Sequence, residues 1–183
     1  MTWGIVDRLT ALFFRLLEVV LVALLLGMVV MVFGNVVLRY GFNSGLTVSE
    51  ELSRYFFVWL TFIGAVVTFH EKAHLGVETF VRLLPRSGRI VCMVLTQLLI
   101  LACAAAFFHG TWLQSGINAT MRAPVTGLPM SYVYGVGFFT SAGIFVIAAL
   151  RLLRIVTGRI TEHDIAEFAG EAQDPIRLAE RGE

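Results

Sequence analysis

The sequence predicts an all-α membrane protein with four transmembrane helices, and with amphipathic interfacial helices at the amino end and between helices two and three. Two observations predict this class. Of the 183 residues, 57% are hydrophobic and only 15% are charged, whereas about a quarter of the residues in soluble domains are charged. The apolar residues also fall into four stretches long enough to cross a hydrocarbon core of about 30 Å. Because backbone in lipid must satisfy its own hydrogen bonds, each stretch is predicted to be helical.

The four apolar stretches divide the chain into spans and connections. Glycine and proline residues concentrate between the stretches, as is typical of turns and helix ends. The predicted spans cover residues 16–38, 52–69, 90–112 and 132–153. We therefore expect a membrane domain over residues 16–155, preceded by an amphipathic segment of residues 1–15 and followed by a polar cytoplasmic tail of residues 156–183.

Two short segments carry apolar residues on one helical face and charges on another. They comprise residues 3–13 and 75–84. This pattern favours helices that lie in the plane of the membrane interface. An ordinary connecting loop is the alternative for each segment.

The basic residues predict the orientation of the chain. Nine of them lie at the amino end, between the second and third spans, or at the start of the tail, and three lie around the first loop or in the third. The nine are Arg8, Arg15, Lys72, Arg82, Arg86, Arg89, Arg151, Arg154 and Arg159, and the three are Arg39, Arg54 and Arg122. Because cytoplasmic loops carry an excess of lysine and arginine, both termini are expected in the cytoplasm.

A group of polar residues occupies the ends of the first two spans that are expected to face away from the cytoplasm. The group consists of Asn35, Arg39, Glu50, Glu51 and Arg54, with Ser49 placed to cap the second helix. Because residues three and four apart share a helix face, Arg54 is expected to pair with Glu50 or Glu51. Charges in a membrane are costly unless they are paired, so we interpret the group as a structural clamp between helices one and two. A direct substrate or ion site is the alternative.

Glu18 is a second candidate for chemistry, since a glutamate within a membrane can couple proton movement to transport. It follows Arg15 by three residues near the cytoplasmic end of the first span, and this neighbour favours an ion pair at the interface. A self-sufficient small proton-coupled transporter or channel that depends on Glu18 is the alternative.

Cofactor and metal chemistry find little support in the sequence. His70 and His74 have the spacing of metal ligands, but charged residues separate them and His109 is expected on the opposite side of the membrane. Cys92 and Cys103 are eleven residues apart, which is too far for a disulfide within one helix. We expect no cofactor, no metal site and no enzymatic activity, and a four-helix haem or quinone protein is the less favoured alternative. A net charge of +1 without a basic stripe gives no indication of nucleic-acid binding.

Small and aromatic residues indicate how the helices pack. Gly64, Gly135 and Gly137 lie within or beside predicted spans and allow close approach of neighbouring helices. The second span is rich in aromatic residues, including Trp59. Such a face is typical of contact either with another membrane protein or with lipid.

The ordered set of motifs along the chain resembles one membrane family. The set comprises Asn35-Val36-Val37-Leu38-Arg39-Tyr40, Ser49-Glu50-Glu51-Leu52-Ser53-Arg54, Trp59, Gly64-Ala65, His74, Leu128-Pro129-Met130 and Tyr134. Over about residues 16–155 it resembles the small membrane subunit, DctQ, of tripartite ATP-independent periplasmic (TRAP) transporters. One difference is that Thr47 and Val48 stand where the family often has a tryptophan before the paired glutamates.

The resemblance implies a subunit of the bacterial inner membrane that supports sodium-coupled uptake of an organic acid, such as a dicarboxylate. A larger DctM-like membrane subunit would carry the substrate and sodium sites and move. A periplasmic binding protein would deliver the substrate, and this chain would enlarge the static scaffold in the lipid. Structural or partner contacts are expected from Asn35, Arg39, Glu50, Glu51, Arg54, Trp59, Gly64, Pro129 and Tyr134.

Overall fold

Four long apolar helical segments form the framework of the protein. The computed structural model describes residues 3–71 and 84–157, with side chains from Arg8 onward. The helices are α1 (Trp3–Phe42), α2 (Thr47–His70), α3 (Arg86–Thr120), α4 (Met130–Tyr134) and α5 (Val136–Val156). The segments long and apolar enough to cross a membrane are Arg8–Phe42, Thr47–His70, Arg86–Thr120 and Met130–Val156. The predicted all-α class with four spans is therefore confirmed for the described part of the chain.

Two of the helices are much longer than their predicted spans. Helix α1 has 40 residues and α3 has 35, which correspond to lengths of about 60 and 52 Å. The amino-terminal segment is thus helical from Trp3 and continues into the first span without a break. Its position at the membrane interface stays a prediction. His74, nearly all of the amphipathic segment 75–84 and the tail after Thr157 lie outside the described residues.

The fourth span is divided at Gly135. The N–H of Gly135 donates to the carbonyl of Ser131 at 2.8 Å, and the N–H of Phe138 donates to the carbonyl of Gly135 at 3.1 Å. A Cβ atom at position 135 would lie 2.6 Å from the Ser131 oxygen, so a larger residue would force this turn to open. The break follows the five-residue helix α4 at the beginning of the span, rather than interrupting its middle.

The chain divides into two compact units. The first comprises Met1–Thr68 and Phe107–Ser141, and the second comprises Phe69–Ala106 and the residues from Ala142 onward. The core of the first unit consists of buried aliphatic side chains with larger apolar side chains packed around them. These are Leu17, Ile63, Val67 and Val136, surrounded by Phe14, Val20, Leu21, Leu24, Val58 and Phe62.

Glycines bring the helices of the first unit close together. A Cβ atom at Gly27 of α1 would lie 2.9 Å from the ring of Phe56 on α2. A Cβ atom at Gly137 of α5 would lie 3.2 Å from the side chain of Thr111 on α3. Side chains at these two positions would separate the helices, so the absence of a side chain sets their spacing.

In the second unit, Arg151 of α5 closes the carboxyl end of α2. Its Nη2 atom donates to the carbonyls of Phe69 at 2.8 Å and His70 at 3.0 Å. Its guanidinium carbon also lies 4.8 Å from the centre of the Phe69 ring. The last carbonyls of a helix have no donor within the helix, and a cation there is favoured by the helix dipole. Arg151 therefore supplies a cap that the sequence pattern did not predict.

Candidate functional site

Asn35 connects the end of α1 to the start of α2. Its Oδ1 atom accepts a hydrogen bond from the N–H of Leu46 at 2.7 Å, and its Nδ2 atom donates to Oε1 of Glu50 at 3.2 Å. Ser49 adds a second connection, because its hydroxyl donates to the carbonyl of Met31 at 2.8 Å. Among the described residues, the hydrogen bonds that join α1 to α2 use neutral donors and backbone groups, and Glu50 is the charged participant.

The expected capping role of Ser49 is wrong. Helix α2 begins at Thr47, three residues earlier than a cap at Ser49 would require. Ser49 therefore lies inside the first turn, and its hydroxyl donates across to Met31 on α1 instead of accepting from its own helix.

Glu51 holds a distant loop against α2. Its side chain is only 1% exposed. Its Oε2 atom accepts from the N–H of Val125 at 2.9 Å, and its Oε1 atom accepts from the N–H of Thr126 at 3.0 Å and also from the Thr126 hydroxyl. A buried carboxylate is tolerated when its oxygens have donors. Three donors from one loop meet this requirement without a cation.

The loop that Glu51 holds is a short hairpin over residues 121–130, called here the 121–130 hairpin. Arg122 and Pro129 face each other as an antiparallel bridge. The N–H of Ala123 donates to the carbonyl of Leu128 at 2.8 Å, and the N–H of Met130 donates to the carbonyl of Met121 at 3.0 Å. Gly127 forms the turn with a φ of 70°, a conformation that glycine adopts at little cost.

The expected ion pairs with Arg54 do not form in the described structure. Glu50 contacts Asn35 and Glu51 contacts the 121–130 hairpin. Arg54 and Arg39 are both exposed and form no ion pair within the described residues. The physical reason is that the buried Glu51 carboxylate needs hydrogen-bond donors and the hairpin supplies them, whereas an exposed arginine is hydrated without any partner.

Tyr55 completes the surroundings of Glu51 and was not singled out from the sequence. It lies one helical turn after Glu51, and its hydroxyl is near the Glu51 carboxylate. The hydroxyl oxygen is buried without a hydrogen bond of acceptable geometry to any described residue. The four-residue spacing between a glutamate and a tyrosine was the signal that could have identified it.

The other expected contact residues are dispersed. Trp59 and Tyr134 present their rings at the protein surface. Gly64 faces α1, since a Cβ atom there would lie 3.9 Å from Leu21. Pro129 starts α4 with a φ of −61° and pairs with Arg122 in the hairpin. Of the residues expected from the sequence, the structure therefore brings together Asn35 with Glu50, and Glu51 with the loop that ends at Pro129.

The residues considered for cofactor chemistry do not converge in the described structure. The described residues contain no group of three or more His, Cys, Asp or Glu side chains that could hold a metal ion. Cys92 and Cys103 are both free thiols. His109 and Glu18 are exposed, and His70 lies at the carboxyl end of α2.

Comparison with known proteins gives one consistent result. Residues 28–158 match the family described as tripartite ATP-independent periplasmic transporters, DctQ component. A TRAP transporter small permease protein of Haemophilus influenzae is 42% identical over 145 residues, which cover 78% of this chain and 87% of that protein. A second small permease protein of the same organism is 29% identical over 140 residues, covering 76% and 85% of the two chains.

A more distant relative extends the comparison to another organism. The C4-dicarboxylate TRAP transporter small permease protein DctQ of Pseudomonas aeruginosa is 28% identical over 149 residues, covering 75% of this chain and 67% of that protein. The family match covers most of the chain and includes all four long helices in whole or in part. The chain therefore belongs to the DctQ family and is a small, multi-pass inner-membrane component of a bacterial TRAP transporter, not an enzyme.

Proposed function

We propose that this chain is the static scaffold subunit of a transporter that takes up an organic acid with sodium. In this proposal a larger membrane subunit binds the substrate and sodium, and a periplasmic binding protein delivers the substrate. The Pseudomonas aeruginosa relative is a C4-dicarboxylate TRAP transporter small permease protein, which supports an organic acid as the substrate class. In this proposal no residue of this chain contacts the substrate.

The scaffold role is supported mainly by the hydrogen bonds that the buried polar side chains of the helices form within the protein. Thr140 donates to the carbonyls of Phe62 and Val136, each at 3.1 Å, and Ser141 donates to the carbonyl of Gly137 at 2.8 Å. The hydroxyls of Thr140 and Ser141 therefore have acceptors within the protein, and the Glu51 carboxylate has donors within the protein. A transport site needs polar groups that are free to bind an ion or substrate near the membrane centre, whereas a scaffold does not.

Besides the Tyr55 hydroxyl, Gln97 is an exception among the buried polar groups of the described residues. It lies in α3, is buried, and its Oε1 atom has no hydrogen-bond partner among the described residues. A single amide oxygen is too few ligands for a sodium site, since oxygen-coordinated cations take several. Gln97 therefore does not alter the proposed scaffold role.

The orientation belongs to the same proposal. Nine basic residues at the amino end, in the second loop and at the start of the tail favour a cytoplasmic location for both termini. The 121–130 hairpin and the connection between α1 and α2 would then face the periplasm. Reporter fusions at the two termini would test this, and a periplasmic signal from either terminus would contradict it.

Reconstitution into liposomes tests the function directly. Vesicles would contain this chain alone, the large membrane subunit alone, or both, with purified binding protein and labelled organic acid outside. We expect uptake only when both membrane subunits are present, and only with an inward sodium gradient. Uptake by this chain alone would contradict the scaffold role. Uptake that ignores sodium but follows a proton gradient would contradict the proposed coupling.

Trp59 and Tyr134 are the surface residues that we propose for contact with the large subunit. Both rings are partly exposed in the isolated chain, and such amphipathic aromatic side chains are enriched where proteins associate. Trp59→Ala is expected to lower the amount of large subunit that copurifies in mild detergent, while Leu26→Ala on α1 serves as an exposed control. Equal recovery of the large subunit with both variants would show that Trp59 does not contribute to the interface.

A further inference from the structure

The end of the second unit at which α2 and α5 finish is rich in arginine. Arg86 and Arg89 lie in the first turn of α3, and Arg151 and Arg154 lie in the last two turns of α5. The hydrogen bonds from Arg151 to the last residues of α2 show that α2 and α5 end on the same side. Helix α3 is the next span after α2, so it begins on that side too. The four arginines are called here the basic end.

The hydrogen bonds of these arginines do not cancel their charge. Nε of Arg89 donates to the carbonyl of Leu84 at 3.1 Å, and Arg151 donates to two carbonyls at the end of α2. A carbonyl is neutral, so each guanidinium keeps its positive charge. Glu71 is the acid among the described residues of the second unit. With histidine neutral, the four arginines and this glutamate give a net charge of +3.

The polar tail carries the opposite charge. Residues 158–183, which lie outside the described part of the chain, contain seven acids and three arginines, a net charge of −4. Five of the acids fall between Glu162 and Asp174, and this stretch has no lysine or arginine. The connection over residues 72–83 has one lysine, one arginine and one glutamate, so it does not neutralise the basic end. The tail is therefore the segment of this chain whose charge complements the basic end.

Covalent attachment favours the tail over other acidic partners. Glu162 follows Arg154 of α5 by eight residues, and eight fully extended residues span at most roughly 28 Å. A partner on so short a tether has an effective concentration in the millimolar range. Anionic lipid headgroups carry the same charge without a tether, so they are the competing occupant that an experiment must distinguish from the tail.

We propose that residues 160–174 of the tail dock on the basic end, with their carboxylates against Arg86, Arg89 and Arg154. The tail then acts as an internal cover that reduces the positive charge offered to anionic lipid headgroups and other acidic partners. Exposed ion pairs are individually weak, so the contact depends on several of them together and weakens with salt. The inference goes beyond the proposed function, because it requires neither the large subunit nor a particular orientation of the chain.

Photo-crosslinking of the full chain tests the contact. Ser87, exposed in the first turn of α3, would be replaced by p-benzoylphenylalanine in protein reconstituted into phosphatidylcholine vesicles. Thr120, exposed at the opposite end of α3, carries the same group in the matched control. Trypsin cleaves after Arg159 and Arg177, so it releases residues 160–177 as one peptide. We expect a crosslink within one chain from position 87 to this peptide, and none from position 120.

Neutralising acids in the tail provides a second arm that leaves the membrane helices unchanged. Glu162→Gln together with Glu167→Gln is expected to lower the crosslink yield from position 87 roughly threefold at low salt, with a smaller effect at high salt. Glu180→Gln together with Glu183→Gln removes the same charge beyond the proposed docking segment, so this control pair should leave the yield unchanged. Equal yields from the two pairs would contradict the inferred charge complementarity.

Anionic lipid distinguishes the two occupants of the basic end. Phosphatidylglycerol added to the vesicles should lower the crosslink yield from position 87, because its phosphates compete with the tail for the same arginines. In phosphatidylcholine vesicles, crosslinks from position 87 only to lipid or to a second chain, or equal yields from positions 87 and 120, would overturn the inference. None of these outcomes bears on the proposed function, which the transport assay tests separately.

Discussion

Replacing Asn35 with leucine should destabilise the connection between α1 and α2. Leucine has the same branching and number of side-chain heavy atoms, but it leaves the N–H of Leu46 without its acceptor and Glu50 without its donor. Glu50 is exposed and can be hydrated again, so the main cost comes from the partly buried N–H. A lost hydrogen bond costs about 0.5–1.5 kcal/mol and an unsatisfied buried donor about 1–3 kcal/mol. We expect a total loss of about 2 kcal/mol.

Thermal melting of the purified protein in detergent measures this loss. For a chain of this size, about 2 kcal/mol lowers Tm by roughly 4–8 °C. Arg39→Leu is the matched control, because Arg39 is exposed one turn further along α1 and forms no ion pair within the described residues. Its Tm should change by no more than roughly 1–2 °C. Equal Tm values for Asn35→Leu and Arg39→Leu would refute the reasoning.

A pair of variants tests the direction of each hydrogen bond. Asn35→Asp keeps an acceptor for Leu46 but places a carboxylate beside Glu50, so it should also lower Tm. When Glu50→Gln is added to Asn35→Asp, the amide at position 50 can donate to the carboxylate at position 35. The repulsion between two carboxylates is then removed. The double variant should therefore recover part of the loss, and a double variant less stable than Asn35→Asp would contradict the assigned geometry.

Substitutions at three further positions address other parts of the chain. Glu51→Gln replaces one acceptor oxygen with a donor, so hydrogen exchange at the amides of Val125 and Thr126 should accelerate; unchanged exchange would show that Glu51 does not hold the hairpin. Arg151→Met should lower Tm because α2 loses its cap, and Arg151→Lys should lower it less; equal Tm values for all three forms would exclude the capping role. Glu18→Gln should leave sodium-driven uptake by the complex unchanged, whereas loss of uptake with intact assembly would support the proton-coupled alternative.

The spans were predictable because lipid leaves the backbone few choices. A stretch of about 20 apolar residues in a membrane must form its own hydrogen bonds, and this condition alone defines a helix. The ends of the helices were less predictable, since polar residues form helices as readily as apolar ones outside the hydrocarbon. This explains why α3 continues to Thr120 although the apolar stretch that predicted it ends at residue 112.

The residues of the site could be predicted from the sequence, but their hydrogen-bond partners could not. Asn35, Glu50 and Glu51 are conspicuous because polar residues are rare in so apolar a chain, and polar groups in membranes usually have a role. Pairing was assigned by helical spacing, which identifies neighbours on one helix only. The partners of Glu51 are 74 and 75 residues away in sequence, and no local pattern in the chain connects them.

Energetics explains why the distant partner was preferred. An ion pair between exposed groups four residues apart on a helix contributes only about 0.3–0.5 kcal/mol. A buried polar group without a hydrogen-bond partner costs about 1–3 kcal/mol, and Glu51 is only 1% exposed. Arg54 can remain hydrated at the surface, but the Glu51 carboxylate needs donors from the protein, which Val125 and Thr126 supply. A buried acid in a membrane chain that already has a full set of donors is therefore better interpreted as structural than as an ion-binding group. Glu51 has three such donors, which supports the proposal that it holds the hairpin rather than binding a transported ion.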